Sequence, residues 1–509
     1  MSRASRLRAQ HERAAQQAKP AMGLQSPVPH ASLWLSVAFL LPNWGALAGG
    51  FVFDDVPLIV ANNNLHVHSL RQLAKIWVSG YWPDRNLLPL YRPVSQTLWA
   101  LIWAIGGEGD PGPFHLVGLA LGLAVVLLLY RFLRDAQTPP RIAFIAALLF
   151  ALFPIHTDAT ASVVGSAELL AAAFGLGAMI LYYRRQPVPA LFLFALAIFS
   201  KESAAAFAAL PLAFPRQNAR FRAPLLTAAG AAAIIAVALL AHHLTGNPYG
   251  HTPPLDNPMV LMNVGPRILT ALWIQCLYLA KTVLPVTLSA DYSYREIPLV
   301  MGLDSLRAWA GLALAGGALL LAWRRREYRP PVLAYAILFS PTANLLFPVG
   351  TIMAERLAYT PTLGVALLLA IPLAQSRYWK AVLLAVALVF GARTAVRNLD
   401  WRDTDHFYTK MLQTAPGSAR SYHAYGILRT LHGDDAGAIQ AYDHAIAVYP
   451  AYPEAYFDRG NALARLGKRT EAMASYRDCL RFDPGHSGAA RNLRTLEAGL
   501  PLNPSRARL

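Results

Sequence analysis

Ionisable residues stand together at the ends of apolar segments in the first 400 residues of this chain. The pairs are Asp54 with Asp55, His156 with Asp158, Lys201 with Glu202, and Glu355 with Arg356. A further carboxylate, Glu168, lies inside an apolar stretch, where such a group is costly unless it faces a polar cavity or a partner. Carboxylates can take a proton from a hydroxyl, and cations can bind a phosphate. The pattern predicts one polar site at a membrane surface.

The aspartate pair begins a first external loop, residues 51–92, which ends in Tyr91, Arg92 and Pro93. The simpler interpretation of two adjacent aspartates after an apolar segment is a turn or a helix cap. The functional interpretation is a general base, because apolar flanks and a neighbouring carboxylate oppose ionisation of one of the two acids. We therefore predict that Asp54 or Asp55 is the catalytic base.

Three cations are candidate ligands for a phosphate. Arg356 ranks first, because arginine offers planar, paired donors and keeps its charge near neutral pH. Lys201 and Arg92 follow it. The simpler interpretations are a solvated tip at Lys201 and a snorkelling arginine at a helix start for Arg356.

The remaining polar candidates line the same site. They are His156, Asp158, Glu168, Glu202 and Glu355, of which His156 and Glu355 are predicted to orient the reacting groups. A lone histidine of this kind is more often a hydrogen-bonded structural residue, and a carboxylate at a helix start interacts with the helix dipole.

The elements that carry these residues are predicted to be membrane helices. Of the 509 residues, 55% are hydrophobic and 14% charged, and the mean hydropathy of +0.35 is typical of a polytopic membrane protein. Eleven candidate crossings are residues 31–50, 113–133, 142–155, 160–183, 187–199, 203–215, 223–244, 305–323, 329–348, 357–375 and 378–397. Short Lys- and Arg-rich connections then fall on the cytoplasmic side, so topology accounts for the net charge of +17 and no nucleic-acid partner is expected.

Some segments do not fit the count of eleven crossings well. Residues 187–199 and 203–215 are short for full crossings and could form a tilted or re-entrant hairpin. Residues 266–288 and 94–105 are predicted to lie in or dip into the outer leaflet. The two cysteines, Cys276 and Cys479, give no sign of a disulfide.

The C-terminal part carries a repeat of 34 residues. It relates Tyr408, Tyr442 and Tyr476, and likewise Pro416, Pro450 and Pro484; Gly426 with Gly460 and Ala438 with Ala472 share the same offset. This is the tetratricopeptide pattern of two helices per unit, with a half unit at 402–415 before it and a terminal helix at about 486–498.

The predicted fold is therefore all-α: a polytopic helical membrane domain followed by a tetratricopeptide α-solenoid. The domains are a cytoplasmic basic N-terminus at 1–30, the transmembrane domain at 31–397, the repeat domain at 398–500 and a tail at 501–509. Odd crossing parity places the first loop and the repeats outside the cytoplasm. The Ala-, Arg- and Pro-rich composition favours a bacterial inner membrane with both in the periplasm.

An ordered set of motifs resembles the transmembrane and tetratricopeptide-repeat O-mannosyltransferases. The motifs are FVFDDVPLIVANN, YRPVSQTLW followed by FHLVG, FPIHTDATASVVGSAELLAA, SKES, SADYSY, AERLAYTP and the terminal repeats. The resemblance covers nearly the whole chain past residue 30. It implies a GT-C glycosyltransferase that passes a sugar, mannose or a similar one, from a polyprenyl-phosphate carrier to a hydroxyl acceptor outside the cytoplasm. It also places the catalytic base at the acidic motif of the first external loop, at Asp54 and Asp55.

The expected partners are a polyprenyl-phosphate-linked sugar, membrane lipid, and an acceptor polypeptide or glycan bound through the repeats. Protein Ser or Thr is the predicted acceptor, and direct displacement would invert the anomeric carbon. No cofactor is required by this scheme; an aspartate pair leaves a divalent cation open.

Two other functions fit parts of the sequence. A lipid-linked glycan ligase or polymerase can also carry terminal repeats, but it would centre its chemistry on a large late loop, and here the long loop comes first. A non-enzymatic membrane scaffold could recruit partners through the repeats, with the intramembrane charges serving packing. A transporter is disfavoured because no matching pair of broken helices occurs in two halves.

Overall fold

The computed structural model describes residues 24–82, 90–106, 109–215, 222–245 and 252–502. Most of the predicted basic N-terminus, part of the first loop at 83–89 and the tail from 503 onward lie outside the described residues. The described part is all-α and contains no strand, as predicted. Its N-terminal helices are Ala31–Asn43, Leu70–Lys75, Pro93–Gly106, Gly112–Asp135, Pro140–Leu152, Thr157–Thr160, Ser166–Tyr183, Pro187–Ser200, Arg222–Thr245, Val264–Val283, Leu306–Arg324, Arg329–Phe339, Thr362–Gln375 and Trp379–Asn398.

Several of these helices are long and apolar enough to cross a membrane. Among the described residues five meet both conditions, or six if one bent pair is a single span. The five are Ala31–Ala48, Gly112–Asp135, Ser166–Tyr183, Leu306–Arg324 and Trp379–Trp401. Others, such as Thr362–Gln375, are apolar but shorter. The eleven crossings of the sequence analysis stay a prediction.

The bent pair lies where the sequence predicts an unbroken crossing at 142–155. The helix ends at Leu152 and restarts at Pro154 after a bend of 54°. Proline fixes its own φ and forces the preceding residue out of the helical region, and Phe153 accordingly has ψ 115°. The next helix then starts at Ser166, not at 160, because residues 161–165 form a tight turn.

Other bounds differ from the predicted crossings. Residues 202–212 form a 3-10 helix, Glu202–Leu212, and the crossing predicted at 329–348 is helical only as Arg329–Phe339. The segment predicted as 357–375 begins with a 3-10 turn, Glu355–Ala358, before its helix starts at Thr362. These short, irregular elements surround the candidate site, and irregular backbone at membrane depth needs protein or water around it.

The core of the N-terminal domain is built around the helix Pro140–Leu152. Every residue of this helix except Arg141 is buried. It packs between Gly112–Asp135 and Thr362–Gln375, and together these helices form the main hydrophobic cluster. The segments that carry His156, Asp158 and Arg356 therefore adjoin the main hydrophobic core.

The C-terminal helices confirm the predicted repeat. They are Thr404–Thr414, Ala419–Leu431, Asp435–Val448, Pro453–Arg465, Arg469–Phe482 and Ser487–Glu497. A side chain at Gly426 would come within 2.4 Å of the Tyr442 ring, and one at Gly460 within 2.6 Å of the Tyr476 ring. The repeated glycines thus let each buried tyrosine fill the gap between the two helices of its unit.

Candidate active site

The two aspartates of the first loop occupy different environments. Phe53, which precedes them, has a left-handed backbone with φ 52°. Asp55 is fully buried, whereas the Asp54 side chain is 21% exposed. Only Asp54 is therefore open to a substrate in this arrangement.

Asp55 binds the backbone of the turn that precedes Ser166. Its carboxylate accepts hydrogen bonds from the Val164 nitrogen at 2.9 Å and from the Val163 nitrogen at 3.4 Å. A third donor is the nitrogen of Val52 at 3.4 Å. Burial raises the pKa of Asp55 to about 7, although these hydrogen bonds act to lower it. Asp55 thus ties the first loop to residues 163–164.

The turn depends on Gly165. A side chain at this position would come within 2.5 Å of the Ala159 carbonyl oxygen, closer than any Cβ can approach. Glycine therefore permits the close return of the chain that presents two backbone N–H groups to Asp55.

Arg356 stands at the centre of the exposed part of the site. Its guanidinium lies 3.2 Å from an oxygen of Asp54 and 3.8 Å from an oxygen of Asp158. The backbone nitrogen of Arg356 also donates to Asp158 at 2.9 Å. The two carboxylates raise the pKa of Arg356 in spite of its burial. Asp54 is 302 residues and Asp158 is 198 residues from Arg356 in the chain, and both contact this residue.

A second charged cluster adjoins the first. Arg92 forms a two-point salt bridge with Glu202, at 2.6 and 2.9 Å, and its guanidinium lies 4.7 Å from the ring centroid of Tyr81. Lys201 is in contact with Glu168, and both side chains are buried. The charges of Arg92, Arg356 and Asp54 all act on the pKa of Tyr81, which burial raises to about 12. The two clusters therefore face a common space.

Two predicted members point away from this space. The His156 ring packs against Phe150 and Tyr359, and its Nε2 lies 2.7 Å from the Thr362 hydroxyl. Glu355 accepts from the Ser289 nitrogen at 2.6 Å and from the Tyr292 hydroxyl at 2.5 Å. These contacts hold the backbone that carries Asp158 and Arg356, so any orienting role of His156 and Glu355 is indirect.

Glu355 has a further partner, Arg397, that the sequence alone does not indicate. Arg397 is buried and lies 3.4 Å from Glu355 and 2.5 Å from Asp400. In the sequence, an arginine at the end of an apolar helix indicates only the orientation of that helix in the membrane. Its carboxylate partners are known only from the fold. The SADYSY motif, which includes Tyr292, is indicated in the sequence only by the family resemblance.

The same motif joins the membrane domain to the repeats. Asp291 accepts hydrogen bonds from the Ser418 hydroxyl and, at 3.1 Å, from the Ser421 hydroxyl, and all three residues are buried. The Tyr294 carbonyl accepts from the Ala419 nitrogen at 2.8 Å. Asp256 and Arg420 add an ion pair to this interface. The first full repeat is thus fixed to the segment around Asp291.

The half unit before the first full repeat contacts the aspartate loop. The rings of Phe53 and Phe407 have centroids 5.5 Å apart, and the Gly50 nitrogen donates to the Trp401 carbonyl at 3.2 Å. The helix Thr404–Thr414 therefore borders the space beside Asp54, and the first loop and the repeats lie on the same side of the molecule.

The divalent cation left open by the sequence has no fitting site among the described residues. No group of three or more histidine, cysteine, aspartate or glutamate side chains in that part of the chain could hold a metal ion. Asp54 and Asp158 both bind the guanidinium of Arg356.

These features define a class: an all-α protein with apolar helices of membrane-spanning length, a polar site at their ends and a terminal repeat array. Residues 251–319 match the family described as protein O-mannosyl-transferase TMTC, DUF1736. Residues 429–467 and 453–486 match tetratricopeptide repeat families.

Known proteins extend this similarity over most of the chain. A Caenorhabditis elegans protein O-mannosyl-transferase is 27% identical over 82% of this chain and 62% of its own length. Protein O-mannosyl-transferase TMTC3 of Mus musculus is 25% identical over 85% of this chain and 52% of its own length. The chain is therefore similar to these relatives over most of its own length, and it spans about half to three fifths of theirs.

Among solved structures, this chain matches that of the Archaeoglobus fulgidus oligosaccharyltransferase. It is 16% identical, with a TM-score of 0.39, and the match covers 82% of this chain and 57% of that one.

Proposed function

We propose that this protein is a membrane glycosyltransferase of GT-C type that transfers a sugar from a polyprenyl-phosphate carrier to a hydroxyl acceptor. Mannose, or a similar sugar, is the proposed donor group, and a protein Ser or Thr is the proposed acceptor. The similarity to protein O-mannosyl-transferases supports this class of reaction. The observation that carries the proposal is the meeting of an exposed carboxylate, Asp54, with the guanidinium of Arg356 at 3.2 Å.

Asp54 is the proposed general base. Of the two loop aspartates, its carboxylate is the accessible one, while Asp55 is buried and bound to backbone N–H groups. Asp54 would take the proton of the acceptor hydroxyl as the acceptor oxygen bonds to the anomeric carbon. The bond from that carbon to the phosphate oxygen breaks, and its electron pair leaves with the lipid phosphate. Attack opposite the leaving group inverts the anomeric carbon.

Arg356 is the proposed ligand of the departing phosphate. A guanidinium offers paired donors that match phosphate oxygens, and it stabilises the negative charge that develops as the bond breaks. Arg92 and Lys201 lie in the adjoining cluster and would add positive charge on the carrier side. Their carboxylate partners Glu202 and Glu168 hold them in place.

The repeats are proposed to bind the acceptor polypeptide outside the cytoplasm. Tetratricopeptide arrays present a concave surface for extended segments. In this chain the array starts beside the aspartate loop, so a polypeptide bound there would pass near Asp54. A periplasmic location in a bacterial inner membrane is part of this proposal.

The test is to offer the purified protein a panel of polyprenyl-phosphate sugars with polypeptide acceptors and to identify products by mass spectrometry. We expect transfer of one sugar class and an inverted anomeric centre by NMR. The Asp54→Asn variant should lose about a hundredfold to ten-thousandfold in turnover, as expected for a general base. Full turnover by a folded Asp54→Asn variant would contradict the assignment of the base. Failure of every donor in the panel would contradict the proposed function.

A further inference from the structure

The repeat period places a tyrosine next to the candidate active site. Tyr408, Tyr442 and Tyr476 occupy the same position of successive units, 34 residues apart. In the two full units this tyrosine is buried against the glycine of the preceding helix, Gly426 or Gly460. Tyr408 belongs to the half unit, whose only repeat helix is Thr404–Thr414.

Tyr408 packs in a different environment from its two counterparts. It is half-buried and lies against the main hydrophobic cluster of the membrane domain. Its neighbour Phe407 contacts Phe53, the residue directly before Asp54. Burial raises the pKa of Tyr408 to about 12, and the negative charge of Asp54 contributes to this rise. The helix that carries Tyr408 therefore lies against the loop that carries Asp54.

The hydroxyl groups of the three tyrosines also differ. The hydroxyl of Tyr442 lies 3.2 Å from that of Thr430, and the hydroxyl of Tyr476 donates to Asn461 at 2.8 Å. Within the described part of the chain, the Tyr408 hydroxyl makes no hydrogen bond. The Tyr408 hydroxyl has no partner among the described residues, and its helix contacts the loop that carries the accessible Asp54. Such a hydroxyl is suited to contact a substrate.

We infer that Tyr408 is an acceptor-binding residue, whose hydroxyl holds a polar group of the acceptor while Asp54 takes the proton from the reacting hydroxyl. This inference rests on the proposed function. The same repeat position thus has two roles: Tyr442 and Tyr476 pack inside the array, and Tyr408 binds substrate where the array meets the membrane domain. The acceptor chemistry that fits is a polypeptide segment, since its backbone supplies a carbonyl or N–H group next to each reactive side chain.

The experiment compares three variants that each remove one hydroxyl from the same repeat position: Tyr408→Phe, Tyr442→Phe and Tyr476→Phe. Steady-state kinetics are measured on the full-length protein with polyprenyl-phosphate mannose and a serine- and threonine-rich synthetic peptide, each varied in turn. Loss of one hydrogen bond predicts a rise of about two- to tenfold in the acceptor KM of Tyr408→Phe. The donor KM of this variant and both constants of the other two variants should match those of the unchanged protein.

Equal acceptor KM in Tyr408→Phe and in the unchanged protein would overturn the inference and leave the proposed function standing. An equal rise in all three variants would overturn it too, since that result indicates a general effect on the array. Absence of transfer by the unchanged protein with every donor would overturn the proposed function, and this inference with it.

Discussion

At the scale of single residues, two adjacent aspartates of the site have different surroundings. Asp54 is partly exposed and bound to Arg356, while Asp55 is buried with backbone N–H groups as its principal partners. The sequence predicts that one aspartate of the pair has a raised pKa and acts as the base; the raised pKa belongs to Asp55, whose carboxylate is buried. The sequence alone does not show which aspartate faces the substrate. The answer depends on the contacts of Asp55 with residues more than 100 positions away in the chain.

The raised pKa of Asp55 predicts how stability depends on pH. The pKa lies at about 7 in the folded protein, against an ordinary value of 3.8 for an aspartate in water, so the folded state binds the extra proton between these values. The stabilising contribution is therefore complete below pH 3.8 and is lost as the pH rises through 7. Thermal unfolding of the protein and of Asp55→Asn should show the variant gaining relative stability from pH 5 to pH 8. A difference that stays constant over this range would contradict the prediction.

Arg356 allows a test of geometry at constant charge. Lysine keeps the positive charge but lacks the paired donors of the guanidinium. We expect Arg356→Lys to raise the donor KM about tenfold or more, as for the loss of a charge-assisted hydrogen bond of about 1.5–3 kcal/mol. The exposed Arg131, whose guanidinium pairs with Asp135 of its own helix, provides the control as Arg131→Lys. Unchanged donor kinetics in Arg356→Lys would count against phosphate binding by this residue.

At the scale of elements, interruptions in the helices build the site. The break at Pro154, the tight turn at Gly165 and the 3-10 turn Glu355–Ala358 bring Asp158, the N–H groups that bind Asp55, and Arg356 to the same end of the bundle. Hydropathy predicts helices well because long apolar runs dominate it. Hydropathy predicts continuous crossings at 142–155 and 160–183 in spite of these interruptions. A short break between two apolar runs hardly changes the average hydropathy of a window.

Gly165→Ala should disturb the turn without altering any charge. The new Cβ would lie 2.5 Å from the Ala159 carbonyl oxygen, and backbone shifts of this kind cost about 1–3 kcal/mol. Gly118→Ala is the control, because its Cβ would meet only the Thr160 carbonyl at an ordinary 3.9 Å. Thermal unfolding in detergent should show a lower midpoint for Gly165→Ala alone. Equal midpoints for the two variants would show that the turn adapts at little cost.

At the scale of the whole molecule, one segment links the membrane domain with the repeats. The segment around Asp291 binds Glu355 on one side through Ser289 and Tyr292, and the first full repeat on the other. The 34-residue period predicts the array, and topology predicts its side of the membrane. Neither predicts this interface, because the polar pairs in it, such as Asp291 with Ser418, are 127 residues apart and have no periodicity.

Asp291→Ala should release the array from the membrane domain. The change leaves the buried hydroxyl groups of Ser418 and Ser421 without their shared acceptor. We expect faster proteolysis between Trp401 and Ser418, and a higher acceptor KM with little change in the donor KM. The matched control is Asp304→Ala, which removes an exposed carboxylate from the same segment, residues 251–319. Identical cleavage rates in the two variants would contradict a role of Asp291 in holding the array.

The ion pair between Arg356 and Asp54 also has a consequence for the order of events in a catalytic cycle. While the guanidinium holds this carboxylate, the proposed base is engaged and an acceptor that arrives alone finds it occupied. A lipid phosphate that draws the guanidinium toward itself releases the carboxylate in the same movement. Binding would then be sequential, with the lipid-linked sugar first and the hydroxyl second, and product-inhibition patterns would reveal that sequence.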